Sequence, residues 1–268
     1  MSSFAKFCLV QRTFIKNNAT PVDTRLKSKL KPEYQQGFEK SKEADDIQNF
    51  LNEKFVTGNN EKYMKMYDWM SHGYDFVETV VGRLKYGKTI DKMRNNIISK
   101  LEWRNNISVL YVSIGTGKDL KFIPKIIDTK TLDIVGVDIS IGMLKKCKKK
   151  FSAQINLSLI NCCGEDLPFS DNEFDIVFHV GGINFFNDKK SAIQEMIRVA
   201  KKGTKILIAN ETQEFIDKQY KKSNLSKKYF KDQKFDLKEL ESDIPSSVSE
   251  LNTELLWDNK FYCITFRK

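Results

Sequence analysis

The chain predicts an α/β fold: a doubly wound, mostly parallel seven-stranded sheet with an antiparallel C-terminal hairpin and a helical segment in front of it. Three observations carry this. Beyond residue 106, apolar runs at 108–113, 132–138, 155–161, 174–180 and 204–210 alternate with helical stretches. Strands separated by helices pair in parallel and are covered on both faces, so they read as continuous apolar runs. The ending "TELLWDNKFYCITFRK" reads instead as two strands joined by a tight turn at Asp258 and Asn259. Before residue 106 the rhythm is helical, not strand-like.

From the start of the chain, residues 1–22 contain no acid and carry Lys6, Arg12 and Lys16. That composition suits an organelle-targeting segment or a plain basic arm, so the expected location is cytoplasmic, with an organelle matrix as the alternative. Residues 1–60 read as a basic, polar arm with one helical candidate, "EADDIQNFLNEKF", where Ile47, Phe50, Leu51 and Phe55 recur at helical spacing. The first 35 residues or so show no extended amphipathic pattern and are expected to be dispensable for a ligand pocket. Residues 61–105 are helical and aromatic, and 106–268 form the sheet. Within the sheet region Ile193, Met196, Ile197 and Ala200 have the spacing of a covering helix.

Composition narrows the function. Among 268 residues, 40% are apolar and 30% charged, the balance of a globular protein. No apolar run approaches the ~20 residues of a membrane-spanning helix. The five cysteines are odd in number, which argues against a disulfide framework and for a reducing compartment. With two histidines and no C-x-x-C pair, a zinc site lacks ligands, and no metal is expected. The net charge of +10 raises nucleic acid as a partner, but lysines are scattered. The densest run, "KKCKKK" at 145–150, reads as the exposed end of an amphipathic helix. Nucleic acid is therefore not the expected partner.

In a doubly wound sheet a ligand sits at the carboxyl ends of the strands. The first strand-to-helix turn is "SIGTGKDL", in which Gly115 and Gly117 permit a tight turn that leaves amides facing a ligand. A dinucleotide loop would have a third glycine where Leu120 stands. Asp138 ends the next strand about 20 residues on, where an acid receives ribose hydroxyls; it also precedes Ser140, a helix N-cap, so it could simply begin a helix.

Next come "CCGEDLPFSDNEFDIVFHVGG" and "EMIRVAKKGTKILIANE". With these, the glycine loop, Asp138 and the upstream "YDWMSHGYD", the chain resembles the class I S-adenosylmethionine-dependent methyltransferases. The nearest pattern is that of the ubiquinone/menaquinone C-methyltransferases and the related phospholipid N-methyltransferases. The resemblance covers roughly residues 61 to 268 and implies a Rossmann-like methyltransferase fold under an N-terminal helical lid, with S-adenosyl-L-methionine as cofactor. It implies that Ser113, Gly115 and Gly117 face the methionine and sugar, that Asp138 takes the ribose, and that Ile139 packs on adenine. Cys163, Gly164 and Glu165 would lie near the adenine edge. Three positions depart from the family: Tyr111 replaces an acid, Ser113 a glycine and Cys163 an aspartate. They leave open an altered cofactor pose or a protein that binds without catalysing.

The sulfonium methyl is already activated, so the protein's task is to position an acceptor in line and exclude water. His179, at the end of the fourth candidate strand, is either a base titrating near neutrality or a histidine bonded to a neighbouring loop. Tyr67, His72 and Tyr74 line an acceptor pocket or merely pack and face solvent. "KQYKKSNLSKKYFKDQK", 218–234, is a second cover or a solvated segment. The expected acceptor is a small or lipid-like molecule, with RNA or protein as the alternative.

Overall fold

The computed structural model describes residues 21–38, 47–71, 88–221, 227–230 and 234–268. Its centre is one sheet of eight strands: β1 (Gln48–Asn49), β2 (Ser108–Val112), β3 (Asp133–Asp138), β4 (Leu157–Asn161), β5 (Ile176–Val180), β6 (Lys205–Glu211), β7 (Ser249–Leu256) and β8 (Phe261–Arg267). The order is β1-β4-β3-β2-β5-β6-β8-β7; pairs from β1 to β6 are parallel, and β8 joins β6 and β7 antiparallel. All seven expected strands form; the five parallel ones are displaced by at most two residues at their ends, and β7 begins at Ser249, four residues before the expected start at Thr253. The eighth, β1, is a two-residue edge strand from the arm, paired Gln48 to Ile160 and Asn49 to Asn161. The β7–β8 connection is a four-residue turn in which Trp257, Asp258 and Asn259 all have positive φ.

Strand order reverses between β2 and β5, which places the crevice of the sheet at their carboxyl ends. Helices cover both faces. On one side α4 (Thr89–Ser99) buries Met93, Ile97 and Ile98, and α5 (Ile141–Phe151) buries Met143, Leu144, Cys147 and Phe151. Ser140 caps α5, accepting from Met143 N at 3.2 Å, and Lys148, Lys149 and Lys150 occupy the last turn, where the helix dipole favours cations. The lysine run is thus the outer face of a helix whose Cys147 points inward. On the other side α6 (Lys189–Val199), capped by Asp188, buries Ala192, Ile193, Met196 and Val199. The strand-to-strand passage from β4 to β5 has no helix, so part of this face needs another cover.

The arm supplies it. In α1 (Pro21–Lys29) and α2 (Pro32–Gly37), with the residues that follow each, Leu26, Leu30 and Phe38 enter the same apolar core as Val135, Ile160 and Phe169. Leu30 bridges to Phe169, Lys31 N donates to Pro168 O at 2.9 Å, and Ser170 N donates to Lys29 O at 2.8 Å. From Pro21 onward the arm is thus part of the core and does the work of the missing crossover helix, a contribution to the fold that the sequence reading of a polar arm did not include. The helical candidate around residue 47 is also corrected. Ile47 is buried beside β1, and Phe55 ends a short 3-10 turn, because these side chains serve a strand edge.

The stretch 61–105 divides between two tasks. α3 (Gly58–Ser71) lies over the carboxyl end of the sheet and packs on α5, while α4 belongs to the sheet's covering layer. After β6, α7 (Gln213–Gln219) and α8 (Lys227–Phe230) lead to α9 (Leu237–Ser242), whose Leu240 joins the face held by the arm.

Candidate functional site

The turn after β2 is held to the sheet by Ile114 N, which donates to Val137 O at 3.0 Å, and it closes through Gly117 N to Ile114 O at 2.9 Å. Ser113, Gly115 and Gly117 all have positive φ (56°, 54° and 74°). The two glycines do different things. A Cβ on Gly115 would meet nothing within 4 Å, so that side of its backbone is open. A Cβ on Gly117 would lie 2.7 Å from Cys147 Sγ and 3.0 Å from the Phe151 ring, so this glycine lets α5 approach the loop from behind. The two glycines, grouped together in the sequence, thus differ in surroundings: the Cβ side is open at Gly115 and filled by α5 at Gly117. Ser113 tolerates its φ as a small residue and lies against Gly182.

Asp138 closes the loop from β3. Its Oδ2 accepts from Gly115 N at 2.8 Å and its Oδ1 from Ser140 N at 2.9 Å, which leaves lone pairs on both oxygens. Burial, with a smaller contribution from the Asp68 charge, raises its pKa to about 6 against the pull of those two amides. Half-buried Ile139 follows, and Asn161 Nδ2 donates to both Asp138 O and Ile139 O at 2.9 Å, fixing the strand end.

Tyr111 has a structural answer. Its hydroxyl donates to Asp119 Oδ2 at 2.5 Å, and Arg94 Nη1 from α4 donates to both oxygens of Asp119 at 2.7 Å. Tyr111 also stacks on Phe178, with centroids 4.2 Å apart. An acid remains behind the loop, but it comes from the 3-10 turn at Lys118–Phe122. Neither Asp119 nor Arg94 was expected at the site from sequence.

Beyond β4 the chain runs through Cys163, Gly164 and Glu165. Burial pushes the Cys163 thiol up to about 12, so it stays a neutral thiol and does not replace a carboxylate. A Cβ on Gly164 would strike the Phe186 ring at 2.6 Å. Glu165 is buried, its pKa raised by that burial, and its Oε1 accepts from Asn60 Nδ2 at 2.9 Å. Asn60 Oδ1 accepts in turn from Asn187 N at 3.2 Å, so α3, the β4 loop and the β5 loop meet at one amide. From below, Arg198 of α6 donates to Leu167 O, Phe169 O and both Glu195 oxygens, which explains why the "EDLPFSD" stretch and "EMIRV" occur together.

Above the crevice, Tyr63, Met66, Phe185, Ile216 and Phe230 form a separate apolar cluster, with half-buried Tyr67, Met70, Tyr220 and Tyr229 against it. Tyr63 stacks on Phe185 at 4.3 Å and donates its hydroxyl to Tyr229 O at 2.9 Å. The structure thus brings Tyr67's helix and part of 218–234 together. His72 and Tyr74 lie outside the described residues. Trp69 is 70% exposed. Asp68, one residue after Tyr67, accepts from Ser140 Oγ at 2.6 Å and Gly142 N at 3.0 Å, fastening α3 to the start of α5.

His179 is wholly buried at the end of β5, edge-on to Phe186 at 5.7 Å. Burial lowers its pKa to about 3, so it is a neutral imidazole at physiological pH. The expectation of a base titrating near neutrality is corrected, because such a weak base has little driving force to take a proton. Nor does either ring nitrogen bond a loop among the described residues. No group of three or more potential metal ligands occurs among the described residues, and none of their helices is long and apolar enough to cross a membrane.

Comparison with known proteins agrees with this arrangement. Residues 110–208 match the model of a family described as a methyltransferase domain. A ubiquinone/menaquinone biosynthesis C-methyltransferase of Geotalea daltonii is 30% identical over 57% of this chain, and the match spans 64% of that protein's length, just under two thirds. Its counterpart in Wigglesworthia glossinidia brevipalpis is 31% identical, over 54% of this chain and 70% of that one. Among solved structures, an S-adenosylmethionine-dependent methyltransferase from Thermotoga maritima, described as a possible histamine N-methyltransferase, superposes with a TM-score of 0.58. It is 20% identical, over 76% of this chain and 99% of that one, a likeness of fold.

Proposed function

Because the chain belongs to the class I S-adenosylmethionine-dependent methyltransferases, we propose that it methylates a small or lipid-like acceptor enclosed between the carboxyl end of the sheet and α3. The observation that carries this is the aromatic cluster of Tyr63, Phe185 and Phe230, through which α3 packs on the segment after β5, while Asp68 of the same helix bonds Ser140 and Gly142 just beyond Asp138. Such a roof suits an enclosed acceptor, whereas a nucleic-acid enzyme needs an open basic groove. The relatives named for quinone biosynthesis support an acceptor of that size and polarity.

The crevice fits S-adenosylmethionine. Gly115 presents an open backbone, Asp138 keeps acceptor capacity for two ribose hydroxyls, and Ile139 offers an apolar surface to adenine. Ser113 borders the methionine end, and Gly164 and Glu165, with Cys163 as a neutral wall, border the adenine edge. The bound cofactor supplies an activated methyl group. The protein's part is to hold it, aim the acceptor and keep water out, with Tyr67 on the acceptor side. Methyl transfer by in-line displacement needs no metal and leaves no fixed residue signature. A cytoplasmic location belongs to the same reading, supported by the free thiols Cys147, Cys162, Cys163 and Cys263.

The test is transfer of labelled methyl from S-adenosylmethionine into a cell extract, separated into lipid, small-molecule, protein and nucleic-acid fractions. Label is expected in the lipid or small-molecule fraction. Label mainly in RNA, with binding that weakens steeply as salt rises, overturns the reading.

A further inference from the structure

The last strand in the sheet order, β7, pairs with β8 on one side, and no described strand pairs with its other edge. Such an edge presents a row of backbone N–H and C=O groups ready to take a further strand. Proteins commonly blunt it with lysine or proline. This chain carries 45 lysines and arginines, yet β7, "SELNTELL", contains neither, and no proline. Its one irregularity is a register shift between Ser249 and Asn252, with Glu250 at a φ of 53°, after which residues 252–256 pair with β8 in a single register.

The side chains point the same way. Leu251, Thr253 and Leu255 alternate along the strand and share one face. On it Thr253 neighbours Ile264 and Leu255 neighbours Tyr262, so the apolar layer of that face runs out to the edge. Leu251 and Leu255 are each 49% exposed, two of the four large apolar side chains that are exposed among the described residues. The acids of the strand are already neutralised. Glu254 pairs with Lys100 Nζ at 2.8 Å, and Glu250 with Arg267 Nε at 2.8 Å. A strand added here therefore buries no unpaired charge, the costly event at an interface.

We propose that this edge takes a second copy of the chain, β7 pairing antiparallel with the partner's β7 about a two-fold axis at Thr253, so that one sheet runs through both protomers. The occupant follows from the strand's own sequence, "LNTEL". In that register Leu251 stands opposite the partner's Leu255, Asn252 opposite the partner's Glu254, and Thr253 opposite the partner's Thr253. Opposed apolar and threonine pairs stabilise an antiparallel ladder, and Asn252 offers amide donors to a carboxylate. Neighbouring registers are worse. An axis at Glu254 sets it against the partner's Glu254, and an axis at Asn252 sets Glu250 against the partner's Glu254; opposed like charges destabilise. Axes at Leu251 or Leu255 run the pairing into the bulge or the hairpin turn. A patch complementary to itself is what a two-fold dimer requires. β5, β6 and β8 separate β7 from β2, so both crevices stay open, and the inference does not depend on what they bind.

Sedimentation equilibrium of the full chain, from roughly 1 to 100 μM, reads the association. A reversible monomer–dimer equilibrium with a dissociation constant inside that range is expected. Leu251→Lys combined with Leu255→Lys sets like charges opposite each other and should weaken the dimer at least about tenfold. Leu251→Glu combined with Leu255→Glu should do the same, and an equimolar mixture of the two variants should restore the dimer, since each lysine then faces a glutamate. A melting midpoint equal to the parent's shows that the variants are folded. Should a double variant lose its fold, Asn252→Asp, at an exposed position, sets a carboxylate against the partner's Glu254 and still reads the register. A chain that stays monomeric across the range overturns the proposal. So does a dimer that neither the lysine pair nor Asn252→Asp weakens, or a mixture of the folded variants that stays dissociated.

Discussion

Arg94→Met is the sharpest test of how the departure at Tyr111 is accommodated. Asp119 is 2% exposed, and its two oxygens take two 2.7 Å bonds from Arg94 and one 2.5 Å bond from Tyr111. Methionine keeps the aliphatic stem of Arg94, so the change removes mainly the charge and its donors. What remains is a buried carboxylate held by one hydroxyl. Breaking a buried pair in this way costs about 3–5 kcal/mol; because the Arg94 side chain is 17% exposed, water screens part of it and roughly 3 kcal/mol is expected. Tyr111→Phe removes one hydrogen bond to a charged group, about 1.5 kcal/mol, and keeps the stacking on Phe178. Urea unfolding followed by circular dichroism reads both, with the midpoint for Arg94→Met falling by about 1 M for a slope near 3 kcal/mol/M. The two residues share Asp119, so the double variant should differ from the sum by more than about 0.5 kcal/mol. A loss below about 1 kcal/mol for Arg94→Met, with strict additivity, would show that Asp119 does not depend on this pairing.

Further outcomes follow from the same geometry. Asp138→Ala should weaken S-adenosylhomocysteine binding by about 1.5–3 kcal/mol in calorimetry. The parent's affinity should fall as pH drops through about 6, where the carboxylate gains its proton, and should level off above it; affinity flat from pH 5 to 8 would exclude this carboxylate from the ribose. Gly117→Ala should destabilise the fold by roughly 2 kcal/mol, through the overlap with Cys147 and a φ of +74°, whereas Gly115→Ala, with open space at its Cβ, should lose cofactor affinity more than stability. Deleting residues 1–38 should remove cooperative unfolding, followed by thermal melting, because Leu26, Leu30 and Phe38 are core residues; an unchanged melting midpoint would show that their packing does not hold the sheet.

What was legible in the sequence is what repeats or alternates. The parallel strands are buried on both faces, so each shows as an apolar run, and the hairpin is bounded by turn residues. Asp138 was visible because its place at the end of β3 is fixed by the strand itself. The arm was misread although Leu26, Leu30, Tyr34 and Phe38 stand four apart, a helical stripe interrupted by Pro32 and diluted by lysine. Ile47 and Phe55 mimic helical spacing, but a two-residue strand is too short to show any period. Gly117 looked like Gly115 because local sequence does not tell which way a missing Cβ would point. The partners of Tyr111 stand 8 and 25 residues from each other in a chain Tyr111–Asp119–Arg94, and no local pattern links them.

Asp68 ties two equilibria together. It sits on α3, yet it bonds Ser140 Oγ and Gly142 N beside Asp138, and its charge helps to hold the Asp138 proton. Linkage is reciprocal: if α3 in place strengthens proton binding at Asp138, a proton at Asp138 strengthens the docking of α3 by the same free energy. Ionisation sets the two carboxylates against each other across the junction, and a ribose donating its hydroxyls to Asp138 would relieve that repulsion without uptake of a proton from solvent. The roof would then register whether the floor is filled through charge alone, with no moving part between them.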